Sequence, residues 1–112
     1  AYEKRRRELD SGYRIKRALR CGLWKALRGK RKSAHTLDLL GCSLREFLGH
    51  LERQFEPGMT WNNYGRNGWE IDHIRPCASF DLTDPEQQRE CFHFSNLQPL
   101  WGPDNWRKGD RW

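Results

Sequence analysis

Trp69-Glu70-Ile71-Asp72-His73-Ile74-Arg75-Pro76, followed by Phe92–Trp101 (FHFSNLQPLW) and then by residues 102–110 (GPDNWRKGD), is the stretch on which the fold turns. Residues 69–74 alternate apolar and polar, which predicts a short half-buried strand. Residues 97–101 predict a second short strand. Gly102-Pro103-Asp104 then opens a last helix, with proline where its missing N–H costs nothing, and that helix carries Asn105, Arg107 and Lys108. Twenty-three residues separate His73 from Asn96, enough for an excursion between two antiparallel strands. Nine separate Asn96 from Asn105, enough for a strand, a tight turn and one helical turn.

Upstream of this core the pattern is helical. Asp84-Pro85 fits a helix start, with Asp84 as N-cap. Residues 57–68 (PGMTWNNYGRNG) read as a loop. Ser43-Leu44-Arg45-Glu46 is a capping box. The helix it opens has Leu44, Phe47, Leu48, Leu51 and Phe55 on one stripe and is ended by Pro57-Gly58, and His50, off that stripe, is expected to be a solvated surface residue. A short turn from His35 to Leu40 ends at Gly41, a good residue for a left-handed helix terminus. Ile15, Leu19, Leu23, Ala26 and Leu27 make one apolar stripe of a basic amphipathic helix over 13–28. Ser11-Gly12 marks an expected break before it, and residues 29–33 a linker after it. The expected fold is therefore α+β and mostly helical: basic N-terminal helices over 1–33, then a hairpin-and-helix domain over 34–112, the two forming one compact unit.

Charge is unevenly spread. Residues 1–32 hold thirteen Lys/Arg against three Asp/Glu, and the remaining eighty hold eight against twelve. A one-signed arm on a slightly acidic body points to a polyanion, with Arg14, Arg17, Arg20, Lys25 and Arg28 as candidate contacts; a solvated helix face is the plainer alternative. No stretch approaches the roughly 20 apolar residues of a membrane span, and no signal-peptide pattern is present, so a membrane partner is not expected. The sequence starts at Ala1 and its one methionine is Met59, so it reads as processed or as a fragment. Cys21, Cys42, Cys77 and Cys91 form no C-x-x-C pair; reduced thiols are expected, with a zinc site of Cys77, Cys91 and His93 as the alternative. Trp61, Trp69, Trp101 and Trp106 are expected mainly in the core, some stacking on a nucleic acid being the alternative.

Asp-His at a strand end, Asn-Leu-Gln-Pro-Leu-Trp, then Asp-Asn-x-x-Lys together resemble the HNH endonucleases, the ββα-metal class, and in particular small phage- and mobile-element-type members. The resemblance covers about 40 residues, 69–110, and residues 39–65 also resemble what precedes the motif in such proteins. It implies a magnesium- or manganese-dependent DNA endonuclease. His73 would be the general base, a role that suits an imidazole because it is mostly neutral near pH 7. Asp72 would bind the cation, Asn105 would stand in the position of the family's last histidine as an oxygen ligand, and Asn96 would brace the segment carrying His73. One carboxylate, one amide oxygen, water and phosphate suit a single Mg2+ or Mn2+ ion. In an extended strand Asp72 and His73 point to opposite faces, so the strand must bend there. The last helix would present its N-terminus to the same phosphate, with Lys108, Arg107 and Arg75 as candidate phosphate contacts. A cytoplasmic location, that of the host if phage-encoded, follows from the same resemblance. Two alternatives stay open: an inactive DNA-binding module of this fold, and a small basic RNA-binding protein.

Overall fold

Trp69 sits at the centre of the molecule with no exposed surface, and the other elements are arranged around it. Its ring packs against Phe55 (5.0 Å between centroids), Trp61 (5.7 Å) and Tyr64 (4.8 Å), and its Nε1–H donates to the Thr60 carbonyl at 2.7 Å. In a computed structural model, residues 2–27, 32, 35–65 and 67–111 are described, except for the side chains of 2–11 and 24–26. The elements are α1 (Tyr2–Leu27), α2 (Thr36–Leu40), α3 (Leu44–Glu52), β1 (Trp69–His73), α4 (Pro85–Phe92), β2 (Leu97–Trp101) and α5 (Gly102–Lys108). Short 3-10 turns at Cys77–Ser79 and Phe94–Asn96 join them. The protein is α+β and about half helical, with a two-stranded antiparallel sheet. Among the described residues no helix is long and apolar enough to cross a membrane.

β1 and β2 pair antiparallel, with Trp69 opposite Trp101, Asp72 opposite Gln98 and His73 opposite Leu97. α5 follows β2 directly and folds back along the hairpin. Two apolar clusters flank this unit. Ile15, Leu40, Phe47, Leu51, Met59, Trp69 and Leu97 form one. Leu23, Leu27, Leu39, Leu82, Cys91 and Phe92 form the other. α1 contributes to both, so the basic segment is part of the body.

Local signals account for the element ends. Ser43 Oγ accepts from Glu46 N while Glu46 Oε1 accepts from Ser43 N, closing the capping box of α3. Gly41 ends α2 at φ 79°. Asp84 caps α4 through Glu86 N, with Pro85 in its first turn. Three expectations are corrected. α1 runs unbroken through Ser11-Gly12, so there is one basic N-terminal helix: Gly12 is buried where α1 meets α3, and a Cβ there would lie 3.4 Å from Leu48 Cδ1. α3 stops at Glu52, and Phe55 reaches the core from the turn beyond it. β1 ends at His73, and Ile74 is exposed.

Gly68 is required by close approach. A Cβ at this position would lie 1.5 Å from the Asn63 carbonyl oxygen, which itself accepts from Trp69 N at 3.2 Å. Gly68→Ala therefore forces backbone movement beneath Trp69. We expect a loss of about 3 kcal/mol, the upper end for overpacking, read from denaturant midpoints at unchanged slope.

Candidate active site

The hairpin register sends alternate β1 side chains to one face. Glu70 and Asp72 both meet α5: Asn105 Nδ2 donates to Glu70 Oε2 at 3.0 Å, and Lys108 Nζ lies 3.2 Å from Asp72 Oδ1. Gln98, across the hairpin, donates to Asp72 Oδ2 at 2.9 Å, and Lys108 Nζ also donates to the His73 carbonyl at 2.7 Å. Asp72 is 5% exposed, so its charge is compensated almost entirely by Lys108 and Gln98. Asp72, His73, Cys77, Asn105 and Lys108 line one opening of about 240 Å3.

Asn96 clamps the turn that follows His73. Its Oδ1 accepts from Arg75 N at 2.8 Å, and its Nδ2 donates to the carbonyls of Arg75 and Cys91, both at 3.0 Å. Its own carbonyl accepts from Ile74 N at 2.8 Å. Alanine at 96 leaves an N–H and two carbonyls without these partners. At about 1–3 kcal/mol for each buried polar group orphaned, we expect a clear fall in melting temperature, with Asn96→Asp recovering only the Arg75 N–H bond.

The His73 ring leaves β1 on the other side. It packs edge-on against Phe92 at 5.3 Å, and its Nε2 is buried with no hydrogen-bond partner. Among the described residues, one group of side chains suited to metal comes together: a ring nitrogen of His73 and the sulfurs of Cys77 and Cys91 lie within 4.8 Å of one another. Cys91 Sγ–H donates to Cys77 Sγ at 3.5 Å. That contact lowers Cys77 to about 5 against the opposing effect of burial, with His73 acting in the same direction through a side-chain hydrogen bond and through its charge. The same contact and burial push Cys91 up.

The expected phosphate contacts stand in different settings. Lys108 faces Asp72, with its side chain 18% exposed. The first turn of α5 lies away from His73: Gly102 N donates to the Gly68 carbonyl, and it is the last turn, with Lys108, that reaches the Asp72–His73 end. Arg107 is exposed and pairs with Asp104 at 3.5 Å. Arg75 bonds Ser79 and lies over the Phe80 ring at 4.0 Å. On α1, Arg14 reaches the Tyr64 carbonyl at 2.8 Å, while Arg17 and Arg20 are exposed. The Lys25 side chain and all of Arg28 lie outside the described residues.

His93 is not the third member of the cysteine group. Its Nδ1 accepts from Ser95 N at 3.2 Å, and its ring packs on Phe94. His50 is not solvated: Nε2 lies 3.0 Å from the Leu97 carbonyl oxygen, and the ring packs with Phe47 and Phe94. Trp106 is 90% exposed, outside the core. Glu70 and Gln98 are the members of the carboxylate group that the sequence reading missed. Glu70's signal was its position two residues before Asp72 on an alternating strand.

No family model matches the chain, and no solved structure does. It is similar to two curated proteins of Acanthamoeba polyphaga mimivirus, both described as uncharacterized. One is 43% identical over 97 residues, covering 87% of this chain and 42% of the relative. The other is 38% identical over 109 residues, covering 97% and 48%. The chain spans less than half the length of either relative.

Proposed function

We infer that the protein is a metal-dependent DNA endonuclease of the HNH class. The observation that carries this reading is the hairpin followed at once by α5, which gathers Asp72, His73, Asn105 and Lys108 around one opening while Asn96 clamps the adjoining turn. His73, whose ring lies on the opposite side of β1 from Asp72 with Nε2 buried, would have to turn toward this opening to accept the proton of the attacking water as its oxygen bonds to phosphorus and the bond to the departing 3′ oxygen breaks. The donor set fits a hard divalent cation, Mg2+ or Mn2+. Asp72 and Asn105 would hold it, and Glu70, hydrogen-bonded to Asn105, lies on the same face of β1. When bound, such an ion supplies positive charge to the phosphate and to the leaving oxygen. Lys108 pairs with Asp72 and would have to share or yield that carboxylate to the ion. The exposed Arg17 and Arg20 on α1 would offer positive charge to a nucleic-acid backbone.

The test is nicking of supercoiled plasmid with Mg2+, Mn2+ or EDTA. Relaxed circles with either metal and none in EDTA are expected. Retention of DNA without cleavage would favour the inactive binding module, and RNA outcompeting DNA would favour the RNA-binding alternative. The α1 contribution is separable. Because Ile15, Leu23 and Leu27 are core residues, deletion of the segment would unfold the protein, so Arg17→Gln with Arg20→Gln is the informative change. Each lost phosphate contact should flatten the salt dependence of DNA binding by about one unit of log–log slope, and an unchanged slope would make these residues solvated.

A further inference from the structure

We propose that His73, Cys77 and Cys91 form a second metal site, selective for a soft or borderline divalent cation of the zinc type, distinct from the oxygen-ligand site at Asp72. Three observations converge. The three ligand atoms come from separate segments (the end of β1, the turn after it, and α4) yet lie within 4.8 Å of one another. Two thiolates bound to zinc at about 2.3 Å and a tetrahedral angle stand roughly 3.8 Å apart, and here the two sulfurs are 3.5 Å apart, so little movement is needed. His73 Nε2 is buried without a partner, a state that a native protein rarely leaves uncompensated.

Three ligands leave a fourth position for water or substrate, and the opening shared by Cys77 and Asp72 gives a route in. Thiolate and imidazole favour zinc over magnesium, so the two faces of the β1 end would sort cations by softness. Binding expels whatever thiol protons the pair still carries to solvent, with no change of oxidation state. The functional consequence rests on the nuclease reading. A neutral imidazole has one proton, and when one ring nitrogen is bound to metal the other carries that proton. Zinc at this site would therefore stop His73 from accepting a proton from water, whichever nitrogen it takes, and would act as an inhibitor.

The experiment titrates the whole, reduced protein with Co2+ in the presence of a phosphine reductant. A sulfur-to-cobalt charge-transfer band saturating at equimolar metal and displaced by Zn2+ is expected. Cys77→Ser and Cys91→Ser should each weaken binding by more than about 100-fold, since even outer partners of metal ligands are worth about 10–100-fold, while Cys42→Ser leaves it intact. X-ray absorption of the zinc-loaded wild type needs no variant and should show two sulfurs at about 2.3 Å and a nitrogen at about 2.0 Å. No band, a band that survives in folded Cys77→Ser or Cys91→Ser protein, or a zinc shell of oxygen and nitrogen alone would overturn the site. So would a Cys77–Cys91 disulfide that persists under the reductant and excludes metal. Added Zn2+ should also suppress Mg2+-supported cleavage by about 100-fold, the scale of a lost base. Absence of any cleavage before zinc is added would count against the nuclease reading alone and leave the spectroscopic result standing.

Discussion

His73→Ala protein should remain folded, bind DNA with near wild-type affinity and cleave it at least ~100-fold more slowly, the usual scale for a lost general base. The fold should tolerate the change because the ring lies at a strand end and makes no hydrogen bond through its buried Nε2; it packs against Phe92 and lies near the sulfurs of Cys77 and Cys91. Single-turnover cleavage at saturating DNA isolates the chemical step from binding. Wild-type rates from the variant would remove His73 from the mechanism. A drop in affinity that matches the drop in rate would make it a binding residue.

The second large effect concerns Lys108. In wild-type protein the ammonium neutralises a nearly sealed carboxylate, so the melting temperature should be the same in EDTA as in Mg2+ at modest concentration, although cleavage vanishes in the chelator. Lys108→Met leaves Asp72 with Gln98 alone. Removing one partner of a buried pair costs about 3–5 kcal/mol, and for a chain of this length that is at least ~10 °C in melting temperature. Mg2+ should restore most of it, because the cation takes the place of the ammonium on Asp72. The variant should also need less Mg2+ to reach half-maximal occupancy. Thermal melts of both proteins over a Mg2+ series provide the measurement. A variant that melts low and ignores Mg2+ would show that Asp72 holds no metal.

The hairpin and its following helix were legible in the sequence because both depend on local signals. Strand alternation over 69–73, Pro103 in a first turn, the box at Ser43–Glu46 and Gly41 at a positive φ act within a few residues of chain. Features that depend on distant partners were misread. Gly12 carries the same signature whether it breaks a helix or lets two helices approach, and only the position of Leu48 decides between them. His50 sits off the stripe of α3, yet Leu97 and Phe94 arrive from elsewhere to cover it. His93 lies two residues from Cys91 in the sequence, yet its ring is turned to Ser95 and Phe94, not to the cysteine pair. The ring that actually approaches comes from β1, which no spacing rule for a single helix or strand connects to α4. The candidate ion pair of Lys108 with Asp72 was hidden for the same reason: thirty-six residues separate them, and Lys108 alone reads as a surface cation.

The placement of α1 across both apolar clusters has a consequence for cooperativity. Ile15 is sealed in one cluster and Leu23 and Leu27 in the other, so neither can melt while α1 stays docked on its neighbour. Calorimetric and van't Hoff enthalpies of unfolding should therefore agree, as for a single all-or-none transition. A polyanion gripping the outward arginines of α1 would then raise the melting point of the entire molecule by mass action, and would not protect one half at the expense of the other.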